Sequence, residues 1–195
     1  MQKWALISVY DKTGVVEDAA RLEKMGWWIL SSGGTAKVLR EAGIAVKDVA
    51  QLVGGKAILN HKVVTLSREV HAGLLADPTK LEEMKEISNL GIPFIDLVRC
   101  DFYPLQDAIN DPWATVESVV EKTDIGGPCM VRSAAKGLRI VACKKEDMRR
   151  ILTELEETGD VSKEHRQTLR ANAEFEVAQY VKLSADFHFL KAIKK

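Results

Sequence analysis

An acid, a glycine pair and an amine stand close together in Asp124-Ile125-Gly126-Gly127-Pro128-Cys129-Met130-Val131-Arg132-Ser133-Ala134-Ala135-Lys136. Asp124 precedes a Gly-Gly helix start, and Lys136 falls about three turns down the same helix. A carboxylate can take a proton and an ammonium can give one. The pair suits acid–base work on one ligand, provided the fold turns both toward a shared cleft. In isolation Asp124 also reads as a helix N-cap, and Lys136 as a solvated charge at a helix end.

Two further segments have the composition of anion sites. Ser8-Val9-Tyr10-Asp11-Lys12-Thr13-Gly14 and Ser32-Gly33-Gly34-Thr35 each fall between an apolar strand-like run and a helical pattern. Backbone N–H groups at a helix start attract phosphate, glycine allows close approach, and Ser, Thr and Lys12 add donors and charge. For either loop alone, a helix cap and a simple turn are the plainer reading. Two such loops after the first two strands of one sheet favour a phosphate monoester, and neither is a Walker or dinucleotide fingerprint.

These segments need a scaffold, and the hydrophobic pattern supplies one. Trp4–Val9, Trp27–Leu30, Val46–Val49, Ile95–Cys100 and Leu138–Cys143 read as strands. Helical patterns follow Gly14 and Ser32 and cover about 80–89, 115–122, 127–136 and 145–157. Strands alternating with helices predict a mostly parallel sheet covered on both faces, a single three-layer α/β/α Rossmann-like domain. The core spans about 1–145 and a helical extension about 146–195. The tail at about 162–190 reads as one long helix or two, with Leu169, Ala173, Val177, Tyr180 and Val181 on an apolar stripe. Ligands in such sheets bind beyond the carboxyl ends of the strands, where the motif-bearing turns fall.

Composition narrows the function classes. Hydrophobic residues make up 46% of the 195 and charged residues 29%, the balance of a globular chain. Lys+Arg and Asp+Glu are both 28, so a general nucleic-acid or membrane surface is not expected, although a phosphate pocket needs only a few cations. Cys100, Cys129 and Cys143 lack metal-type spacing, and no signal peptide or long apolar run is present. A reducing cytoplasm is the expected compartment.

Taken in order, the motifs resemble those of inosine monophosphate (IMP) cyclohydrolases, the N-terminal domain of a bifunctional purine-biosynthesis protein with a methylglyoxal-synthase-like fold. Besides the two loops and the Asp124–Lys136 segment, Lys62-Val63-Val64-Thr65-Leu66-Ser67-Arg68-Glu69-Val70-His71, Cys100-Asp101-Phe102-Tyr103-Pro104 and Arg170–Tyr180 carry the resemblance. It covers essentially the whole chain. It implies closure of 5-formamidoimidazole-4-carboxamide ribotide to IMP with loss of water, without metal or cofactor. Asp124 would be the base, Lys136 the proton donor and acceptor, and Tyr103 a further catalytic position. Substrate would be held by Tyr10, Asp11, Lys12, Thr13, Ser32, Gly33, Gly34, Thr35, Lys62, Val63, Val64, Thr65, Arg68, Cys100, Asp101, Ile125, Gly126 and Gly127. A homodimer is implied, as is a stand-alone cyclohydrolase supplied by a separate formyl-transferring enzyme, with which it could associate.

The chain departs from the family pattern at several of these positions. Val64 stands where the family carries a substrate-contacting lysine, Lys62 replaces an arginine, Tyr10 a small hydroxyl residue and Asp101 an asparagine. The charge missing at Val64 is expected from Lys62, Arg68 or Lys136, with Arg68 placed first, or else the electrostatic contribution is smaller. His71 reads as structural, and Cys100 as an unreactive ligand contact. Two other functions stay open: a non-catalytic nucleotide-sensing module of the same fold, as in carbamoyl phosphate synthetase, and a methylglyoxal-synthase-like lyase.

Overall fold

The computed structural model describes residues 2–60 and 62–193. In chain order the elements are β1 (Trp4–Ser8), α1 (Val15–Lys24), β2 (Trp28–Ser31), α2 (Gly33–Glu41), β3 (Val46–Asp48) and α3 (Val49–Leu52). Then come α4 (Arg68–Leu75), α5 (Leu81–Asn89), β4 (Leu97–Cys100), α6 (Leu105–Asn110) and α7 (Val116–Glu121). The chain closes with α8 (Gly126–Lys136), β5 (Ile140–Ala142), α9 (Lys145–Thr158) and α10 (Lys163–Ile193).

Strand β1 shows why the sheet needs helices on both faces. All but its last residue are buried, and they alternate: Ala5 and Ile7 join one apolar cluster, Trp4 and Leu6 the other. The first cluster is completed by Val15, Ala19 and Leu22 of α1, Leu39 of α2, and Met148, Ile151 and Leu152 of α9. The second takes Val70 and Leu74 of α4 and Met130, Val131 and Ala134 of α8. Each fully buried Leu or Ile side chain contributes about 1.5–3 kcal/mol, so a strand buried on both faces is held from both sides.

The strands pair in the order β3-β2-β1-β4-β5, and each of these pairings is parallel. From β1 the chain winds outward one way through β2 and β3, and the other way through β4 and β5. The reversal falls between β1 and β4, in register from Ala5 opposite Leu97 to Ser8 opposite Cys100. A crevice therefore opens at the carboxyl ends of these strands. The expected α/β fold with a parallel sheet and a C-terminal helical extension is present.

Helix α10 is one continuous helix. Its contacts change along its length: Leu169 packs with the first cluster, Ala173 with the second, and Tyr180 and Phe187 with a third formed by Leu105, Ala108 and Val119. Val181, expected on the apolar stripe, is exposed instead, because the helix turns Tyr180 toward α6 and α7. Short helices α3, α4 and α6 were not anticipated. Ser67 caps α4, its hydroxyl accepting from the Val70 amide at 3.1 Å. Among the described residues, no helix is long and apolar enough to cross a membrane.

Candidate functional site

A cleft of about 800 Å3 lies at the carboxyl ends of β1, β2 and β4. The two glycine- and hydroxyl-bearing loops form one wall. Thr35 ties them together: its hydroxyl donates to the Val9 carbonyl at 3.0 Å, and its oxygen lies 3.2 Å from the Val9 amide. Ser32 occupies the N-cap position of α2, yet its side chain makes no cap bond. The first turn of α2 therefore faces the cleft with its amides uncapped by any side chain, a favourable place for an anion. The Lys12 stem runs beside Gly34, and its ammonium bonds the carbonyls of Val9 and, at 3.1 Å, Tyr10. Burial pulls the Lys12 pKa down, against the opposing pull of Asp101 and Asp11.

In the first loop the amides are already occupied. The Asp101 carboxylate accepts from the Tyr10 amide and, at 3.3 Å, from the Asp11 amide. Asp11 in turn folds over the Thr13 amide at 2.9 Å, and neither Asp11 nor Thr13 lines the cleft. This loop is thus stabilised by its own carboxylates. A phosphate is better served by the second loop together with Lys12.

Asp124 stands at the far side, at the mouth of α8. Its Oδ1 accepts from the Gly127 amide at 3.0 Å, and the Tyr103 and Gly126 amides also bond the carboxylate. The glycine pair is required by close approach. A Cβ at Gly127 would lie 2.7 Å from Asp124 Oδ2 and 3.0 Å from the Phe102 ring, and one at Gly126 would lie 2.8 Å from Thr65 Oγ1. Behind the carboxylate, the Asp124 amide donates to the Tyr180 hydroxyl of α10 at 2.8 Å. Burial is the largest influence on this group and raises its pKa above 3.8, with Asp101 adding to the rise and the three amides opposing it. A carboxyl so raised and still open to a cleft fits a general base. The N-cap position of α8 is Ile125, yet the Asp124 carboxylate bonds the amides at this helix mouth while it lines the cleft.

Tyr103 lines the cleft with its ring edge-on to Tyr10, centroids 5.0 Å apart. Its amide faces Asp124, so it is not free as an oxyanion donor. Lys62, Val63, Val64, Thr65, Ile125, Gly126 and Gly127 all line the cleft, as do Cys100 and Asp101. Cys100 is fully buried, and burial drives its thiol well above its ordinary value, leaving it inert as a nucleophile.

Besides Asp11 and Thr13, two further expected site residues, Lys136 and Arg68, lie outside the cleft. Lys136 is exposed at the carboxyl end of α8, opposite the end that carries Asp124. Ten residues of helix from Gly126 span about 15 Å, and Lys136 does not line the cleft. Within one chain, the acid and the amine do not share a cleft. Arg68 begins α4 with its side chain exposed and paired to the adjacent Glu69 at 3.2 Å, also outside the cleft. It cannot stand in for a cation at Val64. His71 bonds the Ser133 hydroxyl at 2.8 Å, joining α4 to α8, and burial lowers its pKa.

The cleft also contains residues outside the motifs, Leu59 and Val120, Glu121, Lys122 and Thr123 from the end of α7, together with Leu66 and Met130 from within them. The one available signal was their place just before Asp124. Glu121 pairs with Lys62 at 2.7 Å, linking the cleft's two lips. A separate cavity of about 500 Å3, lined by Trp4, Trp27, Trp28 and Lys47 among others, lies at the opposite ends of β1, β2 and β3.

A parallel sheet of this order, with uncapped helix amides and a half-buried carboxyl around a cleft at its strand ends, defines an α/β domain of the doubly wound class. The chain belongs to the MGS-like domain family, which matches residues 14–129. It is 43% identical over 175 residues to the bifunctional purine biosynthesis protein PurH of Persephonella marina, covering 89% of this chain and 34% of that protein. With PurH of Caldicellulosiruptor bescii it shares 39% over 197 residues, covering 100% of this chain and 38% of the relative. The chain thus spans about a third of these relatives' length, matching their N-terminal IMP cyclohydrolase region. The crystal structure of ForH is 31% identical with a TM-score of 0.79, covering 97% of this chain and 100% of that one.

Proposed function

We propose that this chain is an IMP cyclohydrolase, closing 5-formamidoimidazole-4-carboxamide ribotide to IMP with loss of water. The observation that carries the reading is Asp124, half-buried with a raised pKa, across one cleft from a helix start suited to phosphate. The carboxamide nitrogen of the ribotide is a weak nucleophile, and a carboxylate that takes its proton lets it attack the formyl carbon. Holding both reacting arms of one ring within the cleft removes much of the entropic barrier. The phosphate sits against Ser32, Gly33, Gly34 and Lys12. Relatedness to PurH supports the substrate class.

Incubating the purified protein with the formylated ribotide and following ultraviolet absorbance tests the reading directly. Appearance of IMP is expected; binding of IMP without turnover would favour the nucleotide-sensing module. One observation speaks for that second reading: Val64 lines the cleft where a charge would help, and Lys136 lies outside it.

A further inference from the structure

Two tryptophans stand side by side where the chain enters β2, and the fold gives them different surroundings. Successive residues of an extended chain point to opposite faces. Trp27 is buried in the first apolar cluster, whereas Trp28 lies edge-on to Trp4 with centroids 4.9 Å apart and stays 56% exposed. Ile29 and Leu30, which follow it in β2, are buried. The exposed ring is not an isolated surface residue: it walls the 500 Å3 cavity together with Trp4, Trp27, Ile29, Ala45 and Val46. Three of the chain's four tryptophans thus meet in one concavity, whose size and apolar lining are those of small-molecule sites.

The polar groups of the cavity are few. Lys47, on the edge strand β3, holds its ammonium over the Trp4 ring, 5.4 Å from the centroid, and no carboxylate pairs with it among the described residues. Glu23 is the one carboxylate of the lining, and it accepts from the Ala45 amide at 2.9 Å. The Gln51 side chain has no hydrogen-bond partner among the described residues. A cationic ligand would meet a like charge here, because Lys47 already occupies the Trp4 face that would attract it. A neutral ring would leave the ammonium unanswered.

We propose that this cavity binds a small planar aromatic molecule carrying one carboxylate, with its ring against Trp28 and its carboxylate on Lys47. Aromatic contact supplies the bulk of the attraction, and the charge-assisted hydrogen bond to Lys47 selects the anion. The site stands apart from the cyclohydrolase reading, since it lies at the strand ends opposite Asp124.

Indoleacetate, indole and tryptamine share one ring system and differ in charge, so calorimetric titration of each into the full chain tests the assignment. Indoleacetate should bind once per chain. Indole should bind at least about tenfold more weakly, the low end for losing a charge-assisted contact, and tryptamine more weakly still. Lys47→Met keeps the apolar stem and should bring indoleacetate down to the affinity of indole. Trp28→Ala should weaken both by at least about tenfold, through lost apolar and ring contact. Saturating IMP should not displace indoleacetate. Failure of indoleacetate to saturate the protein, equal affinity for all three probes, or displacement by IMP overturns the proposal. A dimer that Trp28→Ala dissolves would give the cavity to a second copy of the chain and overturn it as well. The three-probe series needs no variant, so the charge preference is decided on the unmodified protein. None of these outcomes bears on IMP formation, which tests the cyclohydrolase reading separately.

Discussion

Asp124 receives three backbone amides and still has a pKa above that of an ordinary aspartate, because burial outweighs the bonds. The sign of the consequence follows directly. The base form is lost as pH falls through the raised value, so the acid limb of kcat/KM should lie above 3.8. Asp124→Asn should remove that limb and lower kcat by about two to four orders of magnitude. Lys12 acts on affinity instead. A charge-assisted contact is worth about 1.5–3 kcal/mol, so Lys12→Ala should raise KM by roughly 10- to 150-fold. Binding of the nucleoside lacking phosphate should barely change; equal weakening of both ligands would remove Lys12 from the phosphate site. Asp124 and the two loops were legible as residues, because their types and order carry the chemistry. The placement of Lys136 was legible too, had the helix been measured: three turns of α8 separate its ends by more than any lysine spans within one cleft.

Helix α10 shows where local pattern stops being informative. Its residues face three different apolar clusters in turn, so no single stripe describes it, and Val181 was assigned to a buried face that the helix does not have. Helix α4 was missed for the opposite reason: it is short, and its residues were read as a ligand motif although Ser67 caps it and Val70 and Leu74 repeat at helical spacing. The Tyr180 bond to the Asp124 amide joins positions 56 apart, and nothing local announces it. Tyr180→Phe should leave that part-buried amide without its partner, destabilising the protein by about 1–3 kcal/mol. The disturbed turn should appear in kcat more than in KM. Unchanged kcat alongside lowered Tm would limit Tyr180 to a packing role.

At the scale of the molecule, the sheet separates two cavities. The cleft lies at the carboxyl ends of β1, β2 and β4; the tryptophan-lined cavity lies at the opposite ends of β1, β2 and β3. A five-residue strand spans about 17 Å, and β1 and β2 are the strands whose two ends the cavities share. Trp28, more than half exposed and edge-on to Trp4 with centroids 4.9 Å apart, belongs to the second cavity only. Trp28→Ala should therefore leave kcat/KM within about twofold, the effect of a substitution away from the site. A large loss would mean the two ends are coupled through the shared strands β1 and β2. This layout was partly legible: the strand order follows from alternating strands and helices, whereas the far cavity depends on how three strand starts and their loops converge.

The bond between α10 and the Asp124 turn also constrains how the protein is made. The five strands of the sheet have been synthesised by residue 142, yet the turn holding Asp124 acquires its Tyr180 partner only when residue 180 is available. Chains fold from the amino terminus as they emerge. A nascent chain can thus hold all its strands well before this turn is complete, and a chain stopped between these points would lack both the core residues of α9 and α10 and the hydroxyl that the turn bonds. Assembly of the cleft therefore waits on a segment made long after the strands that frame it.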